Sequence, residues 1–111
     1  MKADPELVAR ARQALQDLYK ELLVAAEDYG LTVRREPDLL TISARGRGVR
    51  SGKVTIEARP SGQVWIHAPS QLSKLDWDVV ENDFVLGATA QTLKQVAAEV
   101  LSRQFGEDIT L

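Results

Sequence analysis

Carboxylate side chains recur along the first thirty residues and are the first candidates for chemistry in this sequence. The candidate metal ligands are Glu6, Asp17, Glu21, Glu27 and Asp28. All except Glu27 fall within roughly 60° of one another on a helix that turns about 100° per residue. Carboxylate oxygens suit cations such as iron, magnesium, calcium and manganese. From these residues alone, a solvated helix face interrupted by Arg10 and Lys20 is the favoured interpretation of this acidic ridge, and weak, exchangeable metal binding is the alternative.

A second acidic group lies in the C-terminal half of the chain and consists of Asp76, Asp78, Glu81 and Asp83. It lacks the glycine and the ligand spacing that a calcium-binding loop requires. A solvated turn between two strands explains the group equally well. We therefore expect no permanently bound ion at this second group.

Both tryptophans lie in one stretch, PSGQVWIHAPSQLSKLDW, which spans residues 60–77. Turn residues open it, an alternating run around Trp65 predicts one strand, and a second strand-like run holds Trp77. Large rings on strands are usually core residues. Alternatively, the two rings form a flat exposed platform for a partner. The candidate partner-binding residues are Gln63, Trp65, His67 and Trp77.

The residues that most enzymes use for covalent or acid–base chemistry are scarce. The chain has no cysteine, and its one histidine, His67, shares the face of Trp65 by the period of two. A half-exposed packing role fits His67 better than a role as a base. No phosphate-binding loop or dinucleotide fingerprint is present. The sequence therefore favours a binding protein over an enzyme.

A basic loop between two predicted strands is rich in arginine and glycine. Its cations are Arg45, Arg47, Arg50 and Lys53. Arginine forks fit phosphate, so the loop is a candidate contact for nucleic acid, or for an acidic protein. No aromatic residue is interleaved with these charges and the chain carries a net charge of -2, which makes nucleic acid the weaker alternative. A solubilising edge loop is the simplest interpretation.

Length and composition indicate one globular domain. The 111 residues are 44% hydrophobic and 27% charged, which is ordinary for a soluble protein with a core of its own. Residues 31–60 contain seven basic and three acidic residues, whereas acidic residues outnumber basic ones in residues 1–30 and in residues 61–111. This uneven distribution of charge suggests charge-guided docking. No apolar run approaches a membrane span, and the N-terminus does not resemble a signal peptide. We therefore expect a cytoplasmic, mostly monomeric protein.

The order of the predicted elements is α-β-β-β-β-β-β-α. Asp4 as N-cap, Pro5 in the first turn and Gly30 after the last turn delimit the first helix. Strands are predicted at 31–36 and 39–44, around 54–58, around Trp65, around Trp77 and at 84–86. The second helix begins at Thr89 or Thr92 and ends before Gly106. Short connections predict an antiparallel meander, and hence a two-layer α+β sandwich with both helices on one sheet face.

The stretch with the two tryptophans resembles the signature of the frataxin family. The pattern P-x-x-Q-V-W-I-x-x-P followed by L-D-W matches at Gln63, Val64, Trp65, Ile66, Pro69, Asp76 and Trp77. The order of elements over nearly the whole chain also fits that family. One departure is that the I-N-[KR]-Q stretch usual in frataxins reads T-I-E-A-R-P here. A second is that the first strand, often acidic in the family, carries Arg34 and Arg35.

The resemblance implies a role in iron–sulfur cluster assembly. Frataxin-like proteins dock on a complex of cysteine desulfurase and scaffold protein, modulate sulfur transfer and act as iron chaperones. By this resemblance, Trp65 and Gln63 would meet the partner, and the carboxylates of the first helix would bind Fe²⁺ or Fe³⁺ weakly. Ferroxidase activity, if present, would be weak. The alternative function is a small α+β module that uses residues 45–53 to contact nucleic acid or an acidic protein.

Overall fold

The first helix, α1, spans Pro5–Tyr29. The structure, a computed structural model, describes residues 4–44, 52–69 and 71–111. The Asp4 carboxylate accepts a hydrogen bond from the Glu6 backbone N–H at 2.9 Å, and Pro5 occupies the first turn. Gly30 adopts a left-handed conformation with φ 68° and donates its N–H to the Ala26 carbonyl. The predicted boundaries of this helix are therefore confirmed, as is the physical reason for each.

Seven strands follow in a single antiparallel meander whose spatial order is the chain order. They are β1 Leu31–Glu36, β2 Leu39–Ala44, β3 Lys53–Ala58, β4 Val64–Ala68, β5 Gln71–Asp78, β6 Asp83–Leu86 and β7 Gln91–Thr92. Helix α2, Leu93–Phe105, closes the fold. Both helices pack on one face of the sheet, α1 mainly over β1 to β3 and α2 over β3, β4, β6 and β7. The predicted two-layer α+β sandwich is confirmed.

The strand β7 is an addition to the six predicted strands. It has only two polar residues, Gln91 and Thr92, which pair with Leu86 and Val85 of β6. So short a strand has no hydrophobic period to detect in the sequence. Thr92 also settles the choice of helix cap, because its hydroxyl accepts the Gln95 N–H while the Gln95 side chain accepts the Thr92 N–H.

The core lies between the helices and the sheet. Its fully buried side chains alternate along the strands, as Val64 and Ile66 do on β4, while Trp65 and His67 lie on the open face. From α1 the buried residues are Ala11, Leu15, Leu18, Leu22, Ala25 and Ala26. Leu7, Ala14 and Tyr29 of the same helix are half-buried.

The C-terminal tail folds back on the helices. Ile109 is 3% exposed and belongs to the core. The Ser102 hydroxyl accepts the Ile109 N–H at 2.9 Å, and the Tyr29 hydroxyl donates to the Asp108 carbonyl at 3.1 Å. These two hydrogen bonds link the tail to the ends of α2 and α1. The tail is therefore part of the packed domain.

We predict that Gly62→Ala destabilises the protein, because α1 packs directly on the turn before β4. Gly62 has φ +89°, and a Cβ atom there would lie 2.8 Å from the Leu7 Cβ. Left-handed backbone and this overlap together should lower the free energy of unfolding by about 2 kcal/mol. Urea unfolding measures the loss. Gly87→Ala is the control because a Cβ there meets no atom within 4 Å, and equal stability of the two variants would contradict the prediction.

Candidate functional site

Trp65 lies half-exposed on the open face of the sheet, and hydrogen bonds fix its orientation. The indole Nε1–H donates to Gln63 Oε1 at 2.9 Å. The Gln63 amide Nε2 in turn donates to Asp76 Oδ1 on β5, also at 2.9 Å. This chain of bonds joins three of the residues that match the frataxin signature. It holds the ring in one orientation while its surface stays accessible.

Two cationic side chains lie over the Trp65 ring. The Arg59 guanidinium carbon is 4.2 Å from the ring centroid, and the Lys74 ammonium is 4.6 Å away. Arg59 also forms an ion pair with Glu57 at 3.1 Å. The sheet register explains this arrangement, because Glu57 on β3 and Lys74 on β5 are the cross-strand partners of Trp65. Cations at these distances are attracted by the ring and restrict its motion further.

His67 completes the group, two residues along β4 from Trp65. The two ring centroids are 5.9 Å apart, with planes inclined at 44°. His67 Nε2 also lies 3.9 Å from the Glu57 carboxylate. We call this set the Trp65 patch. It comprises Glu57, Arg59, Gln63, Trp65, His67, Lys74 and Asp76. The sequence interpretation missed Glu57, Arg59 and Lys74 as site residues, although the period of two places them on the open face once the register is known.

Trp77 lies on the other side of the sheet, so the expected platform of two tryptophans is wrong. The Trp77 ring packs edge-on against Phe84 with centroids 5.3 Å apart, and the Arg10 guanidinium of α1 lies 4.6 Å from it. Trp65 pairs with Lys74, and Trp77 is three residues further along β5. An odd number of residues along a strand reverses the face. Gln63, Trp65 and His67 therefore share one surface, and Trp77 lies outside it.

The carboxylates of α1 are spread along the helix and do not converge. Glu6 and Asp28 are 22 positions apart, which is about 33 Å at roughly 1.5 Å per residue. Only Asp17 and Glu21 are one turn apart. Within residues 4–44, 52–69 and 71–111, no group of three or more His, Cys, Asp or Glu side chains is placed to hold a metal ion. The arrangement does not fit a resident, caged metal.

Several ridge carboxylates already have partners. Glu6 forms an ion pair with Arg10 at 3.1 Å, and Glu21 lies 3.6 Å from the Lys94 ammonium of α2. Asp17 accepts a hydrogen bond from Gln13 at 3.0 Å. An ion that binds here must compete with these groups for the same oxygen atoms.

An open cleft of about 470 Å³ lies between α1, the start of α2 and the beginning of β6. Its lining includes Asp17 and Glu21 from the ridge, together with Arg10, Trp77 and Lys94. Charged groups of both signs surround an apolar floor. The cleft thus brings Trp77 and two of the predicted metal ligands to one surface, separate from the Trp65 patch.

The basic loop lies largely outside the residues that the structure describes. Its arginines, Arg45, Arg47 and Arg50, are all outside them. Lys53, at the start of β3, is exposed. No helix in the described part of the chain combines the length and the apolar character needed to cross a bilayer.

Comparison with solved structures identifies a protein of similar fold, the frataxin from Psychromonas ingrahamii of the CyaY protein family. The TM-score is 0.70, and the match covers 93% of this chain and 95% of that chain at 15% sequence identity. No protein-family model matches this sequence, and neither does any curated protein. The chain therefore has a frataxin-like fold, as the resemblance predicted.

We predict that Gln63→Ala exposes the Trp65 indole N–H to faster hydrogen exchange. Loss of one hydrogen bond of about 1 kcal/mol should speed exchange by roughly five-fold. NMR of the indole N–H resonances measures this rate, and Trp77 provides an internal reference in the same sample. His67→Ala is the control because His67 makes no hydrogen bond to Nε1. An unchanged rate in Gln63→Ala would contradict the fixed orientation of the ring.

Proposed function

We propose that this chain is a frataxin-like modulator of iron–sulfur cluster assembly. It docks on a complex of cysteine desulfurase and scaffold protein through the Trp65 patch, and alters the rate of sulfur transfer by binding. The observation that carries the proposal is a half-exposed tryptophan, held by Gln63 and Asp76, on the uncovered face of a frataxin-like sheet. The matching of the same residues to the frataxin signature supports it.

The physical character of the Trp65 patch suits protein recognition. Tryptophan and arginine are the residues most enriched among those that dominate binding energy at interfaces. Hydrogen bonds and cation–π contacts fix the ring before a partner arrives, so little side-chain entropy is lost on docking. The Arg59 guanidinium and the Lys74 ammonium lie over the ring and add two cationic groups to the contact surface.

The first test measures docking and rate together. The chain is added to its host's cysteine desulfurase and scaffold protein, and both sulfide production and the dissociation constant are followed. Trp65→Ala should weaken binding by at least about tenfold, which corresponds to about 1.4 kcal/mol, and reduce the rate effect. Leu23→Ala is the control, since Leu23 is 45% exposed on the outer side of α1. Equal binding by both variants would contradict the role of the patch.

We further propose that α1 carries iron as cargo, in weak and exchangeable form. Asp17 and Glu21 are the favoured ligands because they are the ridge carboxylates that lie one turn apart and share a cleft. Water supplies the remaining coordination positions, since no cage of side chains surrounds them among the residues that the structure describes. This accounts for a role in delivery or sensing and requires no permanent metal.

The second test removes the charge of Lys94, whose ammonium competes with iron for the Glu21 carboxylate. Lys94→Gln removes an ammonium 3.6 Å from that carboxylate, so Fe²⁺ should bind about five-fold more tightly. Asp17→Asn combined with Glu21→Gln should abolish this binding. Anaerobic calorimetric titration with Fe²⁺ measures both effects, and Glu107→Gln serves as a control outside the ridge. Unchanged affinity in the double variant would place the iron elsewhere.

A further inference from the structure

The hairpin turn between β5 and β6 displays two valines almost entirely to solvent. Val79 is 83% exposed and Val80 is 92% exposed, the highest values among the large exposed hydrophobic residues of the described chain. The others are Leu23 at 45%, Val24 at 64% and Leu72 at 47%. Two adjacent apolar side chains at the tip of a turn form a small projecting contact surface. We call residues 79–82 the valine turn.

Local structure does not account for the choice of valine. Turn positions are usually filled by Gly, Asn, Asp, Ser or Pro, and β-branched residues fit strands better. Asn82, with φ 54°, follows this preference at the last position of the turn, whereas Val79 and Val80 do not. The valines do not contribute to the core either, because they point into solvent. Neither turn propensity nor core packing therefore accounts for the two valines.

Hydrogen bonds hold the backbone of the valine turn. The Asp78 carboxylate accepts hydrogen bonds from the Val80 N–H at 2.8 Å and from the Glu81 N–H at 3.1 Å. Asp78 and Asp83 pair across the base of the turn. The backbone that carries the two valines is thereby held in one arrangement, which lowers the backbone entropy lost on binding.

The charge around the turn determines which kind of partner surface the turn can bind. Residues 75–93 contain no lysine or arginine and include Asp76, Asp78, Glu81 and Asp83. In the part of the chain that the structure describes, none of these four forms a salt bridge. Arg10 and Lys94 line the cleft that Asp83 also lines, so the acidic excess belongs to the turn itself. This excess disfavours contact with the phosphates of nucleic acids and anionic membranes and favours cationic groups.

We propose that the valine turn is a second docking point for the desulfurase–scaffold complex, an inference that rests on the proposed function. Val79 and Val80 enter a shallow apolar pocket on the complex, and lysine or arginine side chains around that pocket meet the turn's carboxylates. Asp76 belongs to the Trp65 patch and lies two residues before Asp78 at the base of the turn, so one partner can cover both surfaces. The patch and the turn contribute separately to affinity.

The test compares two variants that carry the same chemical change. V79S/V80S removes the apolar surface of the turn, and V24S removes that of an exposed valine on α1. Both should unfold at the temperature of the unchanged chain, because all three side chains lie outside the core. We expect V79S/V80S to bind the complex at least about tenfold more weakly, and V24S to bind as the unchanged chain does. Glu81→Gln should reduce the salt dependence of association.

Each outcome decides the proposal. Loss of affinity in V79S/V80S but not in V24S supports it. Equal affinity of V79S/V80S and the unchanged chain, with Trp65→Ala weakened, overturns the second docking point and leaves the proposed function intact. Failure of the unchanged chain to bind the complex overturns the proposed function and this inference together. Equal losses in V24S and V79S/V80S also overturn it, because the effect would not belong to the turn.

Discussion

The packing of both helices on one face of the sheet is the constraint on which the other features of this molecule depend. Successive side chains on a strand point to opposite faces, so covering one face divides every strand into core and surface positions. Val64 and Ile66 become core residues, and Trp65 and His67 become surface residues. If a second layer covered the other face of the sheet as well, Trp65 would be a core residue. The Trp65 patch is therefore a consequence of the layer architecture as much as of its own residues.

Local signals in the sequence predicted the elements of the fold well. The caps of α1 and the glycines that follow both helices act within a few residues, so their effects can be recognised without tertiary information. The face of each residue within one strand could also be predicted from alternation. The relation between two strands could not, because it depends on register. Trp77 was therefore assigned to the surface of Trp65, whereas the pairing of Trp65 with Lys74 places it on the helix side.

The candidate site shows the same division between local and tertiary information. His67 was predicted to share the face of Trp65 from their spacing on one strand. Arg59, Glu57 and Lys74 come from adjacent strands, and only the register brings them to the indole ring. The alignment of the carboxylates on one face of α1 was predicted. Side chains aligned along a helix do not meet at one point, however, so they do not form a single metal site. A ridge about 33 Å long at roughly 1.5 Å per residue cannot surround one ion.

The geometry of the sheet also bears on how a small domain can regulate a larger complex. A meander places the open face and the hairpin turns next to each other, so a partner that covers β3 to β5 also reaches the turn after β5. Two modest contacts on one rigid body gain affinity together, because the second contact forms without further loss of translational freedom. Each contact alone can stay weak, which keeps binding reversible. For the docking role proposed above, an indole ring held by hydrogen bonds and a hydrogen-bonded turn provide two such contacts with few residues.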